Sequence, residues 1–229
     1  MSENKKRALI TGASAGLGRA LALALAAHDW ELILTARGKD RLDEVQAATG
    51  ATVVAGDIAD PAHRQLLAQA IGAGPLDLVV NNASALGPSP LPPLANYPLD
   101  ELAALLDTNV IAPLAVIQLT LPLLRERDGV LANISSDAAI GGYEGWGGYG
   151  ASKAALDQLT NVLAAEQPTL HIYSVDPGDM RTEMHQAAFP GEDISDRPEP
   201  ETVVPALLRL FHSRPPSGRY LASEVPVAS

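Results

Sequence analysis

Short runs of apolar residues alternate along this chain with longer stretches of mixed character, and the alternation predicts its elements. Ala8–Thr11, Glu31–Ala36, Thr52–Ala55, Leu76–Val80, Gly129–Ile134, Leu170–Val175 and Gly218–Ala222 read as strands. Between them, Arg19–Ala27, Lys39–Ala48, Leu99–Arg125, the segment around Tyr149 and Glu201–His212 read as helices. A further helix starts at Asp60-Pro61, where the aspartate suits the N-cap and the proline the first helical position. Strands that alternate with helices imply a parallel, doubly wound α/β sheet, here in one domain spanning residues 1–229. Pro88–Pro98 is a proline-rich connector, a loop within that domain because the alternation resumes after it. Residues 182–200 show no clean period and read as a loop or short helix over a site.

Composition narrows the functional classes. Hydrophobic residues make up 47% and charged residues 19% of the 229 positions, which is a globular balance. Sixteen Lys and Arg against 27 Asp and Glu give a formal charge of −11, which argues against a nucleic-acid partner and leaves room for a local phosphate pocket. The chain has no cysteine, which excludes thiolate catalysis and Cys-ligated metals. His28, His63, His171, His185 and His212 are scattered without ligand spacing, so no metal is expected. The polar Ser2–Arg7 segment leads straight into a strand, and no uninterrupted apolar run of about 18 residues follows. A cytoplasmic protein without signal peptide or membrane span is therefore expected.

The first strand enters Thr11-Gly-Ala-Ser-Ala-Gly-Leu-Gly18 and then a helix, the context that a dinucleotide fingerprint requires. Gly12 permits the tight turn, Gly16 lets a phosphate approach the backbone, and Gly18 allows helix and strand to pack closely. The helix N-terminus then meets a pyrophosphate with unpaired N–H groups. At the end of the second strand, where many such folds carry an acidic residue for the ribose, Ala36 is followed by Arg37. Arg37 and Ser14 would suit a 2′-phosphate and hence NADP, the plain alternative being a solvated arginine at a strand end. Asp57, in Gly56-Asp57-Ile58, could accept a hydrogen bond from the adenine amino group. Asn81-Asn82-Ala83 ends a central strand on the edge where open parallel sheets bind ligands.

Tyr149 and Lys153 are one helical turn apart on one face. A fixed ammonium beside a phenol favours the phenolate and makes tyrosine useful for proton transfer. Ser136, across a glycine-rich turn, could present its hydroxyl to the same substrate oxygen. Asn109 falls mid-helix, where asparagine is not favoured, and reads either as a bent or broken turn or as a functional group. Tyr143, Trp146, Met184, His185 and Phe189 read as the wall of an apolar or aromatic pocket, the alternative being that Trp146 and Phe189 merely pack against the protein; Met184–Pro200, in the substrate-loop region 183–200, reads as a hinged lid.

Together these motifs resemble the short-chain dehydrogenase/reductase family from Arg7 to about Leu221. The glycine turn is similar to the family's Thr-Gly-x-x-x-Gly-x-Gly, Asn81-Asn82-Ala83 matches its Asn-Asn-Ala, and Ser136, Tyr149, Lys153 and Asn109 fall at its tetrad positions. Pro177-Gly178 with Thr182 resembles its Pro-Gly segment. The resemblance implies a seven-stranded Rossmann sheet and hydride transfer between nicotinamide and a carbonyl or alcohol. Tyr149 would be the general acid or base, Ser136 would hold the substrate oxygen, and Asn109 would hold a relay water. Lys153 would lower the tyrosine pKa and bind the nicotinamide ribose.

Expected cofactor contacts are Gly12, Ser14, Gly16, Leu17, Gly18, Arg37, Asp57, Ile58, Asn82, Ala83, Tyr149, Lys153, Pro177, Gly178, Met180 and Thr182. The expected enzyme is an NADP(H)-dependent ketone or aldehyde reductase with an apolar or aromatic substrate. The alternatives are an NAD(H)-linked dehydrogenase of a polar alcohol or sugar, and a non-catalytic dinucleotide sensor. A homodimer or homotetramer paired through the helices near Leu99 and Tyr149 is implied. Two positions depart from the pattern. Ser84 stands where glycine is usual, which would reshape its loop. The end soon after Val225 lacks the usual paired glycines, which puts a tail-built tetramer in doubt.

Overall fold

The computed structural model describes residues 5–225; the readings made on residues 2–4 and on the tail past Val225 lie outside them. Strands β1 (Arg7–Thr11), β2 (Glu31–Ala36), β3 (Thr52–Ala55), β4 (Leu78–Asn81), β5 (Val130–Ile134), β6 (His171–Asp176) and β7 (Gly218–Leu221) form one sheet. Every pairing is parallel, in the order β3-β2-β1-β4-β5-β6-β7. The helices are α1 (Gly16–Ala27), α2 (Lys39–Thr49), α3 (Pro61–Ile71), α4 (Leu99–Leu106), α5 (Ala112–Arg125), α6 (Gly147–Glu166), α7 (Glu183–Ala188) and α8 (Val204–Ser213).

Successive strand residues point to opposite faces, and both faces are covered. Ala8, Ile10, Leu32 and Leu34 pack with Leu21 and Leu25 of α1 and Leu207 and Leu210 of α8. Leu9, Ile33, Val79 and Leu131 face the other way, toward Leu67 of α3 and Val116 and Leu124 of α5. Cover on both sides explains why the central strands read as continuous apolar runs. β2 and β3 follow β1 in one direction, and β4 then returns to its other side. The carboxyl ends of β1 and β4 therefore flank a crevice at the point where strand order reverses.

The expected long helix carries an internal defect. A π-helical turn, Asp107–Ile111, separates α4 from α5 and holds Asn109 fully inside, at 1% exposure. Such turns form where a side chain must be re-aimed within a helix, and Asn109 is committed to the backbone of Ala85. Of the two local readings, the irregular turn is observed. The whole 27-residue stretch Leu99–Arg125 is apolar and long enough to cross a bilayer by length and composition. In this fold it packs on the sheet through Val116, Ile117 and Leu124.

Some boundaries move for local reasons. Leu76 lies outside β4 because its N–H goes to the Leu123 carbonyl (3.1 Å). α8 starts at Val204 rather than Glu201, after a 3₁₀ turn at Pro200–Thr202. The 182–200 stretch opens with short α7, whose N-cap Thr182 Oγ1 accepts the His185 N–H at 3.1 Å.

Candidate active site

At the crevice, the glycine turn is shaped by backbone sterics. Gly12 (φ +67°) and Gly16 (φ +51°) occupy the left-handed region, where side chains are disfavoured. A Cβ at Gly12 would meet Ala83 Cα at 2.8 Å, and one at Gly18 would meet the Gly12 carbonyl oxygen at 2.3 Å. Thr11 Oγ1 accepts the N–H groups of Asn82 and Ala83, both at 3.0 Å. Asn82 Nδ2 donates back to the carbonyls of Thr11 (3.0 Å) and Gly12 (3.1 Å). The Asn82 amide is thus used to hold the turn. No side chain caps α1, so its first N–H groups remain available beside the crevice. A dinucleotide pyrophosphate fits this cradle.

One cleft of about 1290 Å³ runs from this turn across the carboxyl edge of the sheet. Ser14, Gly16, Leu17, Arg37, Asp57 and Ile58 line one end. Ser136, Tyr149, Lys153, Pro177, Gly178 and Met180 line the other, with Gly12, Asn82 and Ala83 between and Thr182 set against Gly16. Gly18 and Asn109 stand behind the walls and shape them. At the first end Arg37 is exposed, while Asp57 spends one oxygen on the Ala59 N–H (2.9 Å) of its own turn. Arg41, missed in the sequence, shares this rim and pairs with Glu183 of α7 at 2.7 Å across the cleft. Its place in an ordinary charged helix gives no signal. His63 was also missed: buried below Gly56, it bonds Thr35 Oγ1 at 2.7 Å, and burial lowers its pKa.

At the other end, Tyr149 and Lys153 lie on one face of α6, as their spacing predicts. Lys153 is buried; its Nζ donates to the Ile134 carbonyl at 2.7 Å and sits 5.5 Å from the centre of the Tyr149 ring. Burial lowers the lysine to about 8, against the pull of Asp157. Burial likewise raises Tyr149 to about 12; the hydroxyls of Ser84 and Ser136 lower it, while Asp176 and Asp137 add to the rise. Burial thus dominates both groups, and the groups that ease the phenol here are the Ser84 and Ser136 hydroxyls rather than Lys153. Ser136 Oγ donates to Asp137 Oδ1 (2.9 Å) and accepts the Ala138 N–H (3.2 Å).

The Asn109 side chain is fully engaged. Its Oδ1 accepts from Ala85 N (2.7 Å) and Ser84 Oγ (3.2 Å), and its Nδ2 donates to the Ala85 carbonyl (2.8 Å) and Ser152 Oγ (3.0 Å). All the capacity of this side chain goes to pinning the 84–85 loop to α6.

Arg219 of β7 was missed altogether. Its Nη2 donates to the Ser136 carbonyl and to Asp176 Oδ2, both at 2.9 Å, and its Nε to Asp157 Oδ2 at 3.1 Å. Asp176 in turn accepts the Gly178 N–H at 3.0 Å. One guanidinium so joins the Ser136 turn, the Pro177-Gly178 turn and α6. The sequence shows only an arginine in an edge strand.

Trp146 meets Tyr149 edge to face at 5.7 Å between ring centres and Phe189 at 5.9 Å. Leu86, Met184 and Phe189 complete an apolar cluster around Tyr149. Trp146 and Phe189 both line the cleft and pack against Tyr149 and each other.

The family model for short chain dehydrogenases matches residues 6–193. The chain belongs to the short-chain dehydrogenase/reductase family. It is an NAD(P)-dependent oxidoreductase. Serine 3-dehydrogenase of Rhizobium radiobacter is 36% identical over 182 residues, 76% of this chain and 72% of the relative. The (S)-benzoin-forming benzil reductase of Saccharomyces cerevisiae is 31% identical over 96% of this chain and 86% of its own. Among solved structures, a short chain dehydrogenase from Shigella flexneri 2a complexed with NADP has TM-score 0.88 and 32% identity, covering 96% of this chain and 98% of that one. Another, from Escherichia coli CFT073 complexed with NADPH, has TM-score 0.87 and 32% identity, covering 96% and 97%. The two solved structures share this chain's fold.

Proposed function

We propose that this enzyme reduces an apolar or aromatic ketone or aldehyde with NADPH. The observation that carries the reading is the aromatic wall of Trp146 and Phe189 against Tyr149, which gives the reacting end of the cleft an apolar surface. Similarity to a benzil reductase supports it. Arg37, with Ser14 and Arg41 on the same rim, supports the 2′-phosphate and so NADP over NAD. When bound, the nicotinamide supplies the hydride. Ser136 and Tyr149 orient the carbonyl oxygen, and Tyr149 gives it a proton as it takes up the carbonyl π pair. Lys153, cationic below about pH 8, faces the ribose and stabilises the phenolate left behind. Residues 183–200 act as a lid carrying Met184 and Phe189.

Leu99, Ile111 and Leu119 of the π-interrupted helix and Val162 of α6 are exposed apolar residues, and in this reading they form the contact between subunits of a cytoplasmic homo-oligomer. A second reading, oxidation of a polar alcohol, draws on the Asp137 carboxylate beside Ser136 and on the similarity to serine 3-dehydrogenase.

The test is oxidation of NADPH and NADH against benzil, simple ketones, aldehydes and sugars, with serine and NADP⁺ in the reverse direction. Benzil with NADPH should give the highest kcat/KM. Arg37→Ala should cost NADPH about ten- to a hundredfold, a charge-assisted contact of about 1.5–3 kcal/mol, and leave NADH untouched. Faster turnover of serine or sugars would favour the second reading. Equal efficiency with both cofactors in the wild type would remove Arg37 from the account.

A further inference from the structure

Ser84, the residue that departs from the family pattern, lines the cleft together with Tyr149 and bonds Asn109. Its hydroxyl lines the same cleft as Tyr149 and Ser136 and stands 3.2 Å from Asn109 Oδ1. The shorter bond to that oxygen comes from the Ala85 N–H at 2.7 Å, so Asn109 keeps its main partner if Ser84 turns away. Asn109 also donates to the Ala85 carbonyl and to Ser152, which fixes the backbone of the residue that follows the serine. A glycine here would leave the loop in place and remove the hydroxyl.

We propose that Ser84 is a positioning residue of the proton-transfer centre, its hydroxyl turning from Asn109 to the Tyr149 oxygen as that oxygen becomes negative. The proposal rests on the reading that Tyr149 is the proton donor. While the phenol carries its proton, Ser84 O–H donates to Asn109 Oδ1 and its oxygen can accept from Tyr149. As Tyr149 O–H breaks and the proton passes to the substrate oxygen, the electron pair stays on the phenolate. The Ser84 hydroxyl then donates to that charge. Tyr149 is buried, so a donor there replaces hydration that the phenolate would otherwise lack. The same hydroxyl already opposes the rise in the tyrosine's pKa.

The test is a pH titration of tyrosines labelled with ¹³C at Cζ in the full chain loaded with NADP⁺. Tyr149→Phe assigns the signal. Ser84→Ala and Ser84→Gly should move the Tyr149 midpoint upward by about half a unit to one unit, the size expected for one lost donor. Ser84→Thr keeps the hydroxyl and should restore it. In benzil reduction, kcat should fall about three- to tenfold in Ala and Gly with KM nearly unchanged, a fold-change matching that shift. An unchanged Tyr149 midpoint in Ser84→Ala overturns the proposal. An equal shift in Ser84→Thr overturns it as well. Wild-type turnover in Tyr149→Phe would instead defeat the underlying reading, and that result is read separately from the titration.

Discussion

The two ends of the cleft are built on different principles. The dinucleotide end is made of backbone: left-handed glycines, an uncapped helix start and close contacts that exclude a Cβ. The reacting end is made of side chains held by other side chains and by backbone groups, with Asn109, Ser152, Lys153, Asp157, Asp176 and Arg219 engaged in hydrogen bonds and ion pairs. A backbone cradle needs only that nothing larger than hydrogen intrude. Proton transfer needs particular atoms fixed in low-dielectric surroundings, so most of those side chains are buried and matched. Binding and chemistry should therefore fail separately.

The largest expected effect is at the reacting end. Tyr149→Phe keeps the ring and its contact with Trp146 but removes the proton, so turnover should fall about 10²–10⁴-fold. Stopped-flow reduction of benzil measures it, and wild-type turnover would remove Tyr149 from the mechanism. Next comes Arg219→Met, which leaves the carboxylates of Asp157 and Asp176 without their cation. Breaking a buried pair costs about 3–5 kcal/mol, and the guanidinium's 22% side-chain exposure places the loss in denaturant titration at about 2–3 kcal/mol. Turnover should drop with it, because the Ser136 and Gly178 turns lose their common anchor. Unchanged stability would mean that the two aspartates are already satisfied without Arg219.

The smallest effect concerns Lys153. Its folded pKa, about 8, lies below the usual 10.5, so the folded state resists the charge that the unfolded chain accepts. The cost is present in full below pH 8, declines between 8 and 10.5, and vanishes above. Lys153→Met should thus lose activity yet melt a few degrees higher at pH 7, an advantage over wild type that shrinks as the pH rises. Thermal scans at pH 7 and pH 9.5 test this. An advantage that grows with pH would reverse the sign.

The same contrast governs what the sequence disclosed. The glycine turn, the strand ends and the Tyr149–Lys153 spacing are local patterns, and local patterns survive in one dimension. Asn109 was visible only as an unfavoured residue in a helix. Its four hydrogen bonds depend on how the 84–85 loop and α6 approach, which no spacing encodes. Arg219 and Arg41 act over separations of 43 to 142 residues (Arg219 to Asp176 and Arg41 to Glu183), so nothing near them in sequence marks them. The tyrosine's raised pKa was hidden for a related reason: burial is a property of the packed cleft, whereas the neighbouring lysine can be read from the chain.

The separation of cradle from chemistry is tested most directly by one fluorescence titration of NADPH, run on Tyr149→Phe and on Gly12→Ala. Tyr149→Phe should bind NADPH within about twofold of wild type. Gly12→Ala, strained at φ +67° and pressed on Ala83, should bind at least about tenfold more weakly, a loss of about 1.4 kcal/mol or more. Weak binding by Tyr149→Phe together with normal binding by Gly12→Ala would contradict the account.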